Sequence, residues 1–183
     1  MLGQYYRRDF RFVTLEAEEY AKSINLTGDG KDIWVFDIDE TTLSGLPYYA
    51  AHGFGAQPFN GTAFNAWAET ATAPALPEGL KLYNRLLSLG FKVVFITGRP
   101  EKQRGITRKN LLAAGYRKWE KLLLRQPSDV MKASVVYKSE QRANLEKQGY
   151  RIQGNIGDQW SDLLGTNIGA RTFKLPDPLY YIS

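Results

Sequence analysis

The chain switches repeatedly between two hydrophobic periods. Ile33-Trp34-Val35-Phe36, Phe91-Lys92-Val93-Val94-Phe95-Ile96-Thr97, Leu122-Leu123-Leu124 within residues 119–125, and residues 151–156 are short apolar runs, and residues 170–175 form a shorter fifth. Runs of this length, bounded by turn residues, predict buried strands. Between them, apolar positions recur at helical spacing. Residues 14–23 turn Leu15, Ala17, Tyr20 and Ala21 towards one face, with Ile24 beyond. Residues 77–88 do the same with Leu80, Tyr83, Leu86 and Leu87, opened by Pro77 and closed by Gly90. Residues 101–114 use Ile106, Leu111 and Leu112 before Gly115, and the later part of residues 135–148 is helical up to Gly149. Strands alternating with such helices predict βαβ units and a parallel sheet in an α/β domain.

Two stretches interrupt the alternation. Residues 4–12 are basic and aromatic (Tyr5, Tyr6, Arg7, Arg8, Phe10, Arg11, Phe12) and are expected as an edge that packs its rings and solvates its arginines. Residues 43–77 are rich in Gly, Pro, Ala and aromatics and show no long period beyond a short helix over residues 64–70. An excursion of that length inside a compact domain usually serves function.

The first strand ends on Asp37-Ile38-Asp39, followed by Thr41 and Thr42. Burying a carboxylate costs several kcal/mol unless it is paired, hydrogen-bonded or metal-bound. In parallel α/β sheets ligands gather at the carboxyl ends of the strands, which places Asp37, Asp39, Thr97 and Asp158 along one edge. Such carboxylates suit Mg²⁺, which takes hard oxygen ligands at about 2.1 Å. A carboxylate can also attack phosphorus and split one displacement into two. The turn after the first strand and Thr97-Gly98 could supply backbone N–H groups to a phosphoryl oxygen.

Composition narrows the chemistry. With 183 residues, 43% hydrophobic and 23% charged, the chain fits one full-sized domain, residues 1–183. The absence of cysteine excludes a thiol nucleophile and disulfides, and the single His52 excludes a His-rich zinc site. His52 is expected to be structural, and Tyr48 and Tyr49 to pack. The net charge of +5 is spread along the chain, so nucleic acid is not an expected partner, and no apolar run is long enough for a membrane span.

Four motifs in order carry a family resemblance. Asp37-Ile38-Asp39-Glu40-Thr41 resembles the first motif of the haloacid dehalogenase superfamily phosphatases, and Ile96-Thr97-Gly98-Arg99 the second. Lys138 in Tyr137-Lys138-Ser139-Glu140 stands where the third places a lysine, with Lys132 and Lys147 as rivals. Gly157-Asp158-Gln159-Trp160-Ser161-Asp162 resembles the acidic fourth. Together with Leu46-Pro47-Tyr48-Tyr49, these stretches look like the plant class B-like acid phosphatases related to vegetative storage proteins, subfamily IIIB.

The resemblance implies a three-layer Rossmann-like parallel sheet with helices on both faces and a small cap, approximately residues 44–77, inserted after the first strand. It implies an acid phosphatase acting on small phosphate monoesters through an aspartyl phosphate with Mg²⁺. Asp37 would be the nucleophile and Asp39 the acid and base. Thr97, Gly98 and Lys138 would hold the phosphoryl group, and Thr41 would orient the loop. Asp37, Asp39 through its main-chain carbonyl, Asp158 and Asp162 would serve the metal. Thr97 as a helix N-cap and Asp162 as a structural cap are the local alternatives. The resemblance also implies a secreted or vacuolar address; Met1-Leu2-Gly3-Gln4 does not read as a signal, whereas the acceptor sequons at Asn25 and Asn60 are compatible with secretion. Some storage-type relatives lack the nucleophile, so a storage protein with vestigial activity is the alternative; this chain keeps Asp37. Homo-oligomerisation is left open.

Overall fold

The computed structural model describes residues 3–56 and 58–181. Strands β1 (Asp32–Phe36), β2 (Lys92–Pro100), β3 (Lys121–Arg125), β4 (Arg151–Gly157) and β5 (Thr172–Lys174) form one all-parallel sheet in the order β3-β2-β1-β4-β5. In chain order the helices are α1 (Gln4–Lys22), α2 (Leu46–Ala51), α3 (Gly61–Ala68), α4 (Pro77–Ser88), α5 (Arg104–Ala113), α6 (Ser134–Lys147) and α7 (Trp160–Leu163). This is the expected Rossmann-like α/β fold.

All five residues of β1 are buried, because both faces of a central parallel strand are covered. Trp34 and Phe36 point into a core with Phe10 and Ala17 of α1, Leu82 and Tyr83 of α4, and Leu111 of α5. Ile33 and Val35 point the other way, towards Tyr137 and Leu145 of α6. The strand order reverses between β1 and β4: β2 and β3 lie on one side, β4 and β5 on the other. The carboxyl ends of β1 and β4 therefore flank the switch point at which such sheets bind ligands.

Several boundaries differ from expectation. Residues 4–12 are not an edge; α1 is continuous from Gln4. Tyr6, Phe10, Val13, Ala17 and Ala21 face the core at a spacing of three or four, a period masked by the arginines between them. Leu15, expected in the core, is 47% exposed. In α5 the buried face is Thr107, Asn110 and Leu111, with Ile106 and Leu112 only half-buried. The helix α6 starts at Ser134, so the whole of it is regular.

The excursion after β1 holds α2, which its composition did not announce, and α3, which starts before the expected Phe64. Its two ends run side by side: Ser44 N–H donates to Pro74 O at 2.8 Å and Leu76 N–H to Thr42 O at 3.0 Å. Asn110 fixes the returning end, donating to Ala73 O at 2.7 Å and accepting from Ala73 N–H at 3.2 Å. Tyr48 and Tyr49 pack with Phe64, Trp67 and the C-terminal Leu179 and Tyr180, as expected for packing rings. His52 stacks on Tyr48, and its Nδ1 lies 2.7 Å from Tyr48 O, a structural placement.

Candidate active site

The backbone beyond β1 makes the site before any side chain does. Asp37 N–H continues the ladder to Ile156 O at 3.1 Å. The chain then folds tightly on itself: Ile38 O accepts from both Thr42 N–H and Leu43 N–H at 2.8 Å, and Glu40 takes a left-handed φ of 56°. Thr42 Oγ1 closes the turn on Asp37 O at 2.6 Å. Thr41 ties this turn to the end of β4, donating to Asp158 Oδ1 at 3.0 Å and accepting from Asp158 N–H at 3.1 Å. The two strand ends at the switch point are thus cross-linked by one hydroxyl.

Three carboxylates converge there. Asp37, Asp158 and Asp162 are all buried, and one oxygen of each lies within 4.8 Å of the others. Lys138 enters from α6 and donates to Asp37 Oδ1 at 2.7 Å and to Asp162 Oδ1. Its rivals sit elsewhere: Lys132 pairs with Asp129 at 2.9 Å and with Glu140, and Lys147 is exposed. Asp162 combines both of its anticipated parts, since its Oδ2 accepts Gln159 N–H at 3.0 Å in a capping box while Oδ1 meets the lysine. It lies flat against Gly157, where a side chain would collide with its carboxylate.

Burial pushes the Asp37 carboxyl up to about 7; Lys138 opposes the shift, while Asp162 and Asp39 add to it. Asp158 is also held well above the usual carboxylate range by burial, Asp37 and Asp162. Burial alone would lower the Lys138 ammonium, but Asp162 and Asp37 outweigh it and keep the lysine charged. With all three carboxyls ionised, one ammonium would leave net negative charge among hard oxygen donors. That donor set fits a divalent cation such as Mg²⁺ or Ca²⁺.

Asp39 stands apart from this cluster. Its carboxylate is held by a two-pronged contact from Arg99, Nη2 to Oδ1 at 2.7 Å and Nε to Oδ2 at 3.0 Å, and Arg99 Nη1 rests on Thr107 Oγ1 at 3.3 Å. Thr97 is fully buried and its Oγ1 accepts Arg99 N–H at 3.2 Å, so it does not cap a helix. Gly98 reaches the surface of the cleft.

That cleft, of about 320 Å³, has Asp37, Asp39, Arg99 and Lys138 at its base. Tyr49, Phe59, Phe64 and Asn65 of the excursion and Tyr180 and Tyr181 of the C-terminal segment form its sides. Gln159 fastens that segment, its amide donating to Asp158 Oδ2 at 2.8 Å, to Tyr180 O at 3.3 Å and to Asp177.

Arg99, Gln159 and Glu40 belong to the site yet were not singled out from sequence. Arg99 carried a signal, standing two residues after Thr97 on the same strand face and one apolar strand away from Asp39. For the other two the order of residues held none.

A parallel sheet with an acidic pair after its first strand, and a lysine and acidic loop converging on it, defines a haloacid dehalogenase-type phosphatase fold. The chain belongs to the HAD superfamily, subfamily IIIB (acid phosphatase), whose sequence model matches residues 1–183. It is 51% identical to Acid phosphatase 1 of Solanum lycopersicum over 182 residues, covering 100% of this chain and 71% of that one. It is 50% identical to the Stem 28 kDa glycoprotein of Glycine max (98% and 71% covered) and 45% identical to Vegetative storage protein 1 of Arabidopsis thaliana (97% and 65% covered). Among solved structures, the Class C acid phosphatase from Bacillus anthracis shares the fold, with a TM-score of 0.80 at 22% identity over 98% of this chain and 80% of that one. Among the described residues, no helix is long and apolar enough to cross a membrane.

Proposed function

We propose that the chain hydrolyses small phosphate monoesters through a phosphoryl group carried on Asp37. The observation that supports this most directly is the Lys138 ammonium 2.7 Å from Asp37 Oδ1 at the base of an open cleft, with Asp39 beside it. Phosphoryl transfer asks the protein mainly for positioning and charge neutralisation. Asp37 attacks phosphorus as the bond to the leaving oxygen breaks, and Asp39 gives that oxygen its proton. Asp39, now a carboxylate, takes a proton from water as the water attacks phosphorus, and the Asp37–phosphorus bond breaks to release inorganic phosphate. Thr97, Gly98 and Lys138 hold the phosphoryl oxygens, and Arg99 keeps the Asp39 carboxyl directed into the cleft.

Mg²⁺ would be held by Asp37, Asp158, Asp162 and the Asp39 carbonyl, and when bound it neutralises phosphoryl charge. Residues 44–77 serve as the small cap of a single domain, and their aromatic side chains shape access. A vacuolar or extracellular address goes with this reading; both sequon asparagines, Asn25 and Asn60, are exposed. The storage proteins among the relatives favour a second reading, a storage role with slow turnover.

A rapid acid quench during turnover of an aryl phosphate tests the proposal. Phosphate retained on the protein and released by hydroxylamine is the expected result, and turnover with no retained phosphate at any time would sink it. Rates far too slow to sustain a steady state on every ester of a panel would favour the storage reading. Metal dependence has its own signature. Chelation is expected to abolish turnover, and Mg²⁺ to raise Tm more at pH 8 than at pH 5. At pH 5 the Asp37 carboxyl, pushed up to about 7, still holds the proton it must lose to become a ligand. Equal Tm increments at both pH values would remove Asp37 from the ligand set.

A further inference from the structure

Glu40, between the proton donor Asp39 and the threonines, has no part in the chemistry above, yet it is 1% exposed. Its backbone sits at φ 56°, a region a glutamate adopts only under constraint, with its N–H donated to Leu43 O at 2.8 Å. Its side chain turns inward and Oε1 accepts Gly45 N–H, the N-cap residue of α2. A Cβ at Gly45 would stand 2.6 Å from that same oxygen and 3.3 Å from the Tyr49 ring, so the carboxylate fills the space a side chain would need. The other oxygen, with the hydroxyls of Tyr6 of α1 and Tyr49 of α2, is buried without a hydrogen-bond partner among the described residues. A buried carboxyl group with one oxygen left unpartnered is costly and needs a compensating role.

We propose that Glu40 is a positioning residue: its carboxyl group braces the turn carrying Asp39 against the first residues of the cap segment, fixing the direction of the proton donor. Without the brace, a strained turn relaxes and Asp39 leaves its aim, while Asp37, one turn earlier and held by the ladder to Ile156, stays in place. The proposal rests on Asp39 acting as the proton donor. Its mark is therefore dependence on the leaving group. An alkoxide needs the donated proton to depart, whereas a nitrophenolate leaves without it. The parameter kcat/KM isolates this first transfer from later hydrolysis of the phosphoryl enzyme.

The experiment compares kcat/KM for an alkyl phosphate and p-nitrophenyl phosphate in the native chain, Glu40→Ala, Glu40→Gln and Asp39→Asn. Glu40→Ala is expected to lose roughly tenfold or more on the alkyl ester and under about threefold on the aryl ester, within the range of misplaced general acids. Glu40→Gln, which keeps an acceptor for Gly45 N–H, is expected to stay near native on both. Equal loss on the two esters, no loss on either, or a Gln variant as impaired as the Ala one each overturns the brace. Should Glu40→Ala fail to fold, Gly45→Ala displaces the same carboxylate without removing it and must repeat the signature; a native profile there overturns the proposal. Asp39→Asn separates the two layers. If it shows no leaving-group dependence, the reading of Asp39 fails; if it does while Glu40→Ala does not, only the brace fails.

Discussion

Replacing Asp37 with asparagine is expected to reduce kcat by roughly a thousandfold or more while the melting curve moves by only a few degrees. The amide has the shape of the carboxylate but too little nucleophilicity to take the phosphoryl group, so the loss falls on the chemical step. The backbone contacts that shape the turn, Asp37 N–H to Ile156 O and Thr42 Oγ1 to Asp37 O, do not involve the side chain and survive. Two side-chain effects oppose each other in stability. The neutral amide removes a charge whose burial pushes the native carboxyl up to about 7, and it deprives Lys138 of one of two anions. Lys138 keeps Asp162. Steady-state rates on an aryl phosphate, beside a thermal melt of the same sample, check both halves. Retention of a tenth or more of the native kcat would mean that another group attacks phosphorus.

The parts of this molecule that were legible in its sequence are those a local rule dictates. A central strand buried on both faces must be apolar throughout, which marked Ile33 to Phe36. The cost of ending such a strand on aspartates marked Asp37 and Asp39. Order along the chain, with the strand-end rule, then placed Thr97 and Asp158 on the same edge. The excess length of residues 4–12 as a helix escaped because three arginines hid a helical apolar spacing that Tyr6, Phe10 and Val13 in fact obey. Helix α2 escaped because Gly45, Pro47 and paired tyrosines look like loop until Tyr49 meets Tyr180, well over a hundred residues later. Arg99 and Gln159 escaped for the same reason: each matters through a partner distant in sequence, Asp39 in one case and Asp177 in the other. Lys138 was placed by its motif, while its contact with Asp37 and Asp162, and the pairing of its rival Lys132 with Asp129 and Glu140, are visible only in three dimensions.

Lys138 carries the second large expectation, this time in stability. Lys138→Met keeps most of the buried side-chain volume and removes the charge, leaving Asp37 and Asp162 without their counter-ion. Stripping one member from a buried ion pair costs on the order of 3 kcal/mol, or roughly 6–12 °C in Tm for a chain of this size. The pH dependence identifies the cause. In the native chain the lysine's pKa is raised, so its contribution is fully present below its ordinary value near 10.5 and persists across pH 5 to 8. In the variant the destabilisation comes from ionised carboxylates. The folded Asp37 carboxyl is already raised to about 7, and losing Lys138 raises it further, so at pH 5 the folded state takes up a proton and escapes most of the cost. At pH 8 more of the cost is exposed, because the proton is less available. Urea unfolding without metal is therefore expected to show a larger gap between Lys138→Met and native protein at pH 8 than at pH 5. Excess Mg²⁺ should narrow the pH 8 gap by supplying the missing positive charge. Turnover falls by roughly a hundredfold even with Mg²⁺ present, because the phosphoryl group also loses the ammonium. A gap of the same size at both pH values would show that the loss does not come through the Asp37 carboxyl and that Lys138 does not hold the charge of Asp37 assigned to it.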